Sequence, residues 1–287
     1  MRKRAAAGPQ ARQLRDPTNP LRWSALYLSS AWRSWRGPPL DDVEAFCIFI
    51  GYARSGHSLI GSILNAHPEV VISHELDAVR FVEKGFSRDQ LFALILERDR
   101  VFGTMDRTWS GYDYNVAGQF QGRFERLRVI GDKRGRTTAL ELGRRPELVE
   151  RLRAKVGVPL RAVHITRNPF DNVAAESVRR KISLGAATEW FEQSCRGVAA
   201  ARPRLAPGEL IDLAHEKFSE DPTRSIIELC AFFGVEAYPS FVGDAASIVW
   251  PGTRKRRDAV SWSAEERGAV EALIDRYDFL HQYTFDH

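Results

Sequence analysis

Short apolar runs alternate with amphipathic stretches along the chain from residue 45 onward. The runs are AFCIFI (45–50), VVIS (70–73), LRVIG (127–131), LRAVHIT (160–166) and ELIDLA (209–214). Runs of this kind are typical of strands buried on both faces, and the stretches between them have helical periodicity. The alternation predicts an α/β fold of three layers, in which a central parallel sheet is flanked by helices and connected by right-handed crossovers.

Several helix boundaries are marked by capping residues. Asn168 followed by Pro169 predicts the start of one helix, and Asp221 followed by Pro222 predicts another over 222–233, which Gly234 ends. Ser263 and Glu266 form a capping-box pattern that predicts the start of the last helix.

The first forty residues have a different character from the rest. Residues 1–20 predict a disordered segment, whereas LRWSALYLSSAWRSWRG (21–37) places three tryptophans among arginines with helical spacing. That helix either packs on its own domain, lies on a membrane surface or docks a partner. We expect an N-terminal extension over 1–40 and a single domain over 41–287.

Composition narrows the choice of partner and compartment. The chain has 287 residues, a net charge of +5 and a pI near 9.2, which indicates an anionic ligand without separating nucleic acid, nucleotide, sulfated glycan and membrane. Its three cysteines follow no disulfide or zinc pattern, and the N-terminus continues into no apolar signal-peptide core. A reducing, cytoplasmic compartment is expected, with membrane-peripheral attachment through 21–37 as an alternative.

The stretch GYARSGHS (51–58) matches the P-loop pattern at Gly51, Gly56 and Ser58, but His57 stands where nucleoside triphosphatases have lysine. It follows a predicted strand and leads into a predicted helix (57–66), so its backbone amides can hold an anion. A Mg²⁺-ATP enzyme also needs an acidic ligand at a later strand end, and the only aspartate in such a position is Asp132. A P-loop kinase is therefore disfavoured but stays an alternative.

Two motifs in order resemble the sulfotransferases that use 3′-phosphoadenosine-5′-phosphosulfate (PAPS). They are FIGYARSGHSLI (49–60) and HITRNPFDNVAAESVRR (164–180). The resemblance implies that PAPS binds without a metal and leaves as 3′-phosphoadenosine-5′-phosphate (PAP). It implies that the phosphosulfate is held by Arg54, Ser55, Gly56, His57 and Ser58.

The same resemblance implies a second anion site for the 3′-phosphate of PAPS. Arg167 occupies the position of the family's phosphate-binding arginine. The family's helix serine falls on Ala175 here, which makes Ser177 the candidate hydroxyl. The basic run TRKRR (253–257) adds Arg254 and Lys255 as candidates by position, although such a run is also typical of a solvated face.

Catalytic residues are implied by the ends of two predicted strands. Glu75 stands where many members place the general base, with His74 as the alternative. Lys133 stands where the family often has a lysine, which could reach either the sulfuryl group or the leaving phosphate. The implied reaction is in-line sulfuryl transfer to a hydroxyl or amine of a small molecule, glycan or lipid, rather than to nucleic acid. Residues 85–125, rich in aromatic side chains, and the tryptophan-rich segment 21–37 are expected to shape the acceptor site. A non-catalytic member of the fold that binds a polyanion stays the other alternative.

Overall fold

The computed structural model of the chain describes residues 20–104, 106–109, 111–252 and 254–286, with side chains from Trp23 onward. Five parallel strands form the central sheet in the order β2-β5-β1-β6-β7, and a separate two-stranded hairpin is formed by β3 and β4. The strands are β1 (Ala45–Gly51), β2 (Val70–His74), β3 (Thr108–Trp109), β4 (Tyr112–Asp113), β5 (Val129–Lys133), β6 (Leu160–Thr166) and β7 (Leu210–Ala214).

Helices connect the strands and cover both faces of the sheet. They are α1 (Pro20–Arg36), α2 (His57–Asn65), α3 (Ala78–Glu83), α4 (Arg88–Gly103), α5 (Gly135–Arg144), α6 (Leu148–Val156), α7 (Pro169–Arg180), α8 (Leu184–Ala201), α9 (His215–Glu220), α10 (Pro222–Phe233), α11 (Pro239–Ser247) and α12 (Ala264–Arg276). Short 3₁₀ turns lie at Arg202–Arg204, Arg256–Ala259 and Asp278–Leu280.

Alternate side chains of the central strand enter two different cores. Phe46 and Ile48 of β1 pack in the core beneath α3, α4, α5 and α6, while Cys47 and Phe49 pack in the core beneath α2, α10 and α11. A strand buried on both faces must be apolar at every position, which is why AFCIFI reads as a continuous run. The predicted three-layer α/β fold with a central parallel sheet is confirmed.

Strand β5 is displaced from its predicted position. The sequence predicts it over 127–131, but the structure has it at Val129–Lys133, because the ladder aligns Val129 with Ala45 of β1 and with Val70 of β2. The apolar pattern could not show this, since the last two residues of the strand are buried and charged. Asp132 and Lys133 are therefore the last two residues of strand β5 and do not lie in the loop that follows it.

The predicted helix boundaries are confirmed at all three capping signals. Asn168 caps α7 by accepting a hydrogen bond from the amide of Phe170, and Asp221 caps α10 in the same way from Arg224. Ser263 forms the full capping box at the start of α12. The three cysteines are buried and unpaired.

Helix α1 packs one of its faces on the domain. Trp23 lies edge-on to Phe81 and Phe86, with ring centroids 5.2 and 6.1 Å away. The prediction of a helix over 21–37 is confirmed, whereas the predicted disorder of 1–20 lies almost wholly outside the described residues, and the domain boundary at residue 40 stays a prediction. No helix in the described ranges has the length and apolar composition needed to cross a membrane.

Candidate active site

The loop between β1 and α2 is shaped by two residues in left-handed conformations. Arg54 has φ 66°, and Gly56, the N-cap of α2, has φ 95°. No side chain caps the start of α2, so its first amides stay available to an anion at the positive end of the helix dipole. Gly56 is also required by space, because a Cβ there would lie 2.9 Å from Nδ1 of His215.

Lys133, the last residue of β5, is the centre of the polar network at this edge of the sheet. Its buried Nζ donates to Oγ of Ser58 at 3.1 Å and to Oε1 of Glu75 at 3.2 Å, and it lies 3.4 Å from Nε2 of His74. The side chain reaches this point across Gly61 of α2, where a Cβ would lie 2.8 Å from its Cγ. Burial lowers the pKa of Lys133.

Glu75 follows β2 directly, and two hydrogen bonds fix the position of its backbone. Its amide donates to the carbonyl of Lys133 at 3.2 Å, and its own carbonyl accepts from Arg134 at 3.2 Å. Its φ of 60° turns the chain sharply at this point. The side chain is 32% exposed, so the carboxylate contacts Lys133 and still meets solvent.

His74 is buried against aromatic rings. Its ring stacks on Phe102 with centroids 4.1 Å apart and meets Trp109 edge-on at 5.0 Å. Burial, together with the charge of Lys133, lowers the pKa of His74 to about 2. The imidazole is therefore neutral near pH 7 and is placed to accept a hydrogen bond from Lys133.

His57, the residue that replaces the P-loop lysine, points into the core. Its Nε2 lies 3.3 Å from the carbonyl of Ile50, and its ring meets Phe49 edge-on. Burial lowers the pKa of His57 to about 3. The neutral ring packs beneath the loop. The group of His57 that can bind an anion is therefore its backbone amide and not its side chain.

Arg167 ties the loop to the later basic segment. Its buried guanidinium donates from Nη1 to the carbonyl of Arg54 at 3.1 Å and from Nη2 to the carbonyl of Arg254 at 2.8 Å. Its Nε has no hydrogen-bond partner, and within the described ranges no carboxylate lies at ion-pair distance from this side chain. Burial lowers the pKa of Arg167, an effect that the more distant carboxylates of Asp171 and Glu216 oppose.

In the basic run over 253–257, the two predicted residues have exposed side chains, whereas another arginine is buried. The side chains of Arg254 and Lys255 are exposed, and Lys255 donates to the carbonyl of Asp286 at 3.4 Å, while Thr253 lies outside the described residues. Arg257 is buried, and its Nη1 has no partner. Its backbone amide donates to Oδ1 of Asp171, in the first turn of α7, at 2.9 Å.

The predicted helix hydroxyl lies apart from the loop. Ser177 is in the last turn of α7, where its Oγ donates to the carbonyl of Ile182 at 2.6 Å. The side chain of α7 that does reach the loop is Asn172, whose Nδ2 donates to Oγ of Ser55 at 3.4 Å and whose Oδ1 is buried without a partner. Ser177 therefore stabilises the C-terminal end of α7. Asn172 is the α7 side chain that contacts the loop, and the sequence motifs did not identify it.

His215 is a second residue near the loop that the sequence motifs did not identify. It follows β7 directly, as Glu75 follows β2 and Arg167 follows β6, so inspection of the strand ends could have found it. Its Nδ1 is buried without a partner, and burial together with the charge of Arg167 lowers the pKa of His215 to about 4.

Asp132, the one candidate for a Mg²⁺ ligand, is fully engaged. Its Oδ1 accepts from Oγ of Ser73 at 2.8 Å and from the amide of Leu76 at 2.9 Å. Its Oδ2 accepts from the amides of Asp77 at 2.7 Å and Ala78 at 3.0 Å. The carboxylate therefore orders the turn that carries Glu75 into α3, with both oxygens occupied.

Some of the aromatic side chains of the predicted acceptor region lie at this site, and others do not. Burial raises the pKa of Tyr114, an effect that the charge of Arg54 opposes, so this side chain lies near the loop. Trp109 packs on His74. Phe86 instead packs beneath α1, against Trp23 and Tyr27, and belongs to the core.

Neither a protein-family model nor a curated protein matches the chain. Solved structures do, and several of them are sulfotransferases. The sulfotransferase domain of an olefin synthase from Synechococcus is 13% identical, with 82% of this chain and 96% of that one covered and a TM-score of 0.49. The sulfotransferase domain from the curacin biosynthetic pathway is 16% identical, with coverages of 82% and 98% and a TM-score of 0.49.

A mouse sulfotransferase solved in complex with PAP is 11% identical to the chain, with 88% of each chain covered and a TM-score of 0.44. These proteins belong to the family that the two loop motifs resemble. The likeness concerns the fold, so a reaction for this protein has to be argued from the side chains of its own site.

Proposed function

We propose that this protein transfers a sulfuryl group from PAPS to a hydroxyl or amine acceptor. The observation that carries the proposal is Arg167, a buried cation fixed by two backbone carbonyls beside an uncapped helix N-terminus. A buried charge is costly unless an opposite charge neutralises it, and within the described residues no carboxylate lies at ion-pair distance from Arg167, although Asp171 and Glu216 act on it from further away. An anionic ligand at the loop supplies that opposite charge.

The donors at the site form two groups, which suits a nucleotide with anions at both its 5′ and 3′ positions. Arg54, the amides at the start of α2 and Lys133 form the group that would hold the phosphosulfate. Arg167 and Arg257 form the group that would hold the 3′-phosphate, and each has one buried nitrogen without a partner. Unpartnered buried donors are uncommon in folded proteins, and an anionic ligand would give these two nitrogens a partner.

Bound PAPS would supply the sulfuryl group, and the side chains at the sheet edge would do the remaining chemistry. Glu75 accepts the proton of the acceptor as its oxygen or nitrogen bonds to sulfur. Lys133 and Arg54 stabilise the charge that develops on the phosphate oxygen as the sulfur–oxygen bond breaks, leaving PAP. The contact between Lys133 and Glu75 at this edge of the sheet supports the assignment of the two side chains to one reaction.

The two alternatives are less well supported by the site. For a Mg²⁺-ATP kinase, Asp132 is not available as the metal ligand, because both of its carboxylate oxygens accept hydrogen bonds from Ser73 and the turn before α3. A protein that only binds polyanions does so through exposed cations, of which Arg254 and Lys255 are examples here, but Lys133 and Arg167 are buried and would not contribute to such binding.

Transfer of labelled sulfur from PAPS to pools of phenols, sugars, lipids and amines tests the proposal. We expect PAP to be released in equal amount to a labelled product with at least one pool, with no requirement for added Mg²⁺. Transfer of the γ-phosphate of ATP with Mg²⁺, without PAP release from PAPS in any pool, would contradict the proposal and favour the kinase.

A further inference from the structure

Helix α1 is fixed to the domain by its inner face. Ser30 is fully buried on that face, Tyr27 meets Phe86 edge-on with centroids 5.2 Å apart, and Nε2 of Gln90 donates to the carbonyl of Tyr27 at 2.9 Å. These contacts, with those of Trp23, set the rotation of the helix about its axis. The opposite face is therefore held outward in a defined orientation.

The outward face carries an exposed apolar stripe, which we call the α1 stripe. It consists of Leu28, Trp32 and Trp35, whose side chains are 71%, 57% and 81% exposed. Their spacing of four and three residues places them on one side of the helix. Large apolar side chains scattered singly on a surface need no explanation, but two tryptophans and a leucine in one row indicate a binding surface.

The sequence of helix α1 is positively charged. The helix has three arginines, Arg22, Arg33 and Arg36, and no acidic residue, and the guanidinium of Arg36 lies 5.0 Å above the ring of Trp32. Arg33 lies 3.6 Å from Glu97, whereas within the described ranges Arg36 has no acidic partner. The sequence before the helix, residues 1–19, adds five basic residues against the single acidic Asp16.

We propose that the α1 stripe docks the protein on the surface of an anionic lipid bilayer. Tryptophan prefers the boundary between lipid headgroups and acyl chains, and arginines beside it meet the lipid phosphates. A second copy of this chain fits less well, because a symmetric contact through the stripe would bring two arginine-rich faces together. The helix would lie in the plane of the interface, and its inner face would keep its contacts with the domain.

Co-sedimentation of the full chain with vesicles tests this inference. We expect binding to vesicles of phosphatidylcholine mixed with phosphatidylglycerol, a blue shift of tryptophan emission on binding, and weak binding to phosphatidylcholine alone. The double variant W32A/W35A should bind the mixed vesicles about tenfold less tightly or worse, since two interfacial aromatic anchors are removed. High salt should weaken the binding of the unmodified chain.

Trp250→Ala provides the matched control, because Trp250 is 78% exposed but lies far along the chain from α1. It should bind the mixed vesicles like the unmodified chain, and both variants should keep the unmodified melting temperature. Equal binding of W32A/W35A and the unmodified chain would overturn the inference. So would a concentration-dependent dimer that W32A/W35A abolishes in a protein without vesicle binding.

Discussion

Replacing Glu75 by glutamine is expected to lower the turnover number with PAPS by about 10²–10⁴-fold, the usual contribution of a general base. Glutamine keeps the size and a hydrogen-bond acceptor for Lys133, which now lies 3.2 Å from the carboxylate, but it cannot take the acceptor's proton. PAP affinity, measured by calorimetry, should stay within about twofold of the unmodified value, since Glu75 is not among the anion donors.

Glu83→Gln is the control for this variant. Glu83 is a partly exposed glutamate, eight residues along the chain, that forms an ion pair with Arg145 instead of Lys133. The Glu83→Gln variant should turn over PAPS at the rate of the unmodified protein. Unreduced turnover in Glu75→Gln would assign the base to another residue. His74 would then be the next to test, although its pKa of about 2 and its contact with Lys133 make it a weak proton acceptor.

Replacing Arg167 by alanine is expected to weaken PAP binding by about 1.5–3 kcal/mol, the contribution of a hydrogen bond to a charged group. By the usual conversion this is roughly a 10- to 150-fold rise in Kd. ADP, which lacks the 3′-phosphate, should lose less affinity than PAP in the same variant. The comparison separates loss of the phosphate contact from a general disturbance of the loop, which the carbonyls of Arg54 and Arg254 help to fix through Arg167.

Arg254→Ala is the matched arginine variant, because its backbone carbonyl accepts from Arg167 while its side chain is exposed. Its PAP affinity should change by less than about threefold, as expected for a surface cation. If Arg254→Ala instead weakens PAP binding more than Arg167→Ala does, the 3′-phosphate belongs to the exposed basic run, as its position in the sequence suggested. Equal losses of PAP and ADP affinity in Arg167→Ala would also remove the phosphate assignment.

Features set by local sequence could be predicted well. The strands buried on both faces appear as apolar runs, and Asn168, Asp221 and Ser263 cap helices through contacts within three residues of themselves. The loop at 51–58 is also local, since its conformation depends on Gly56 and on the strand and helix around it. Signals of this kind need no knowledge of what packs beside them.

Features set by contacts distant in sequence could not be predicted. The register of β5 depends on two neighbouring strands, so Lys133 was placed beyond the strand instead of in it. Which arginine of the run over 253–257 is buried depends on the packing of that run against Asp171 of α7, and no periodicity in the run identifies Arg257. The same holds for the inward rotation of His57 beneath the loop, whose space is left by Gly135.

Thermal unfolding with PAP and with ATP, each with and without Mg²⁺, tests the central claim most directly. A ligand present at about 100 times its Kd adds roughly 2.7 kcal/mol to the free energy of unfolding, which raises the Tm measurably. We predict that PAP raises the Tm equally with and without Mg²⁺ and that ATP raises it less than PAP does. A Tm raised by ATP only with Mg²⁺, and left unchanged by PAP, would contradict a PAPS site at GYARSGHS.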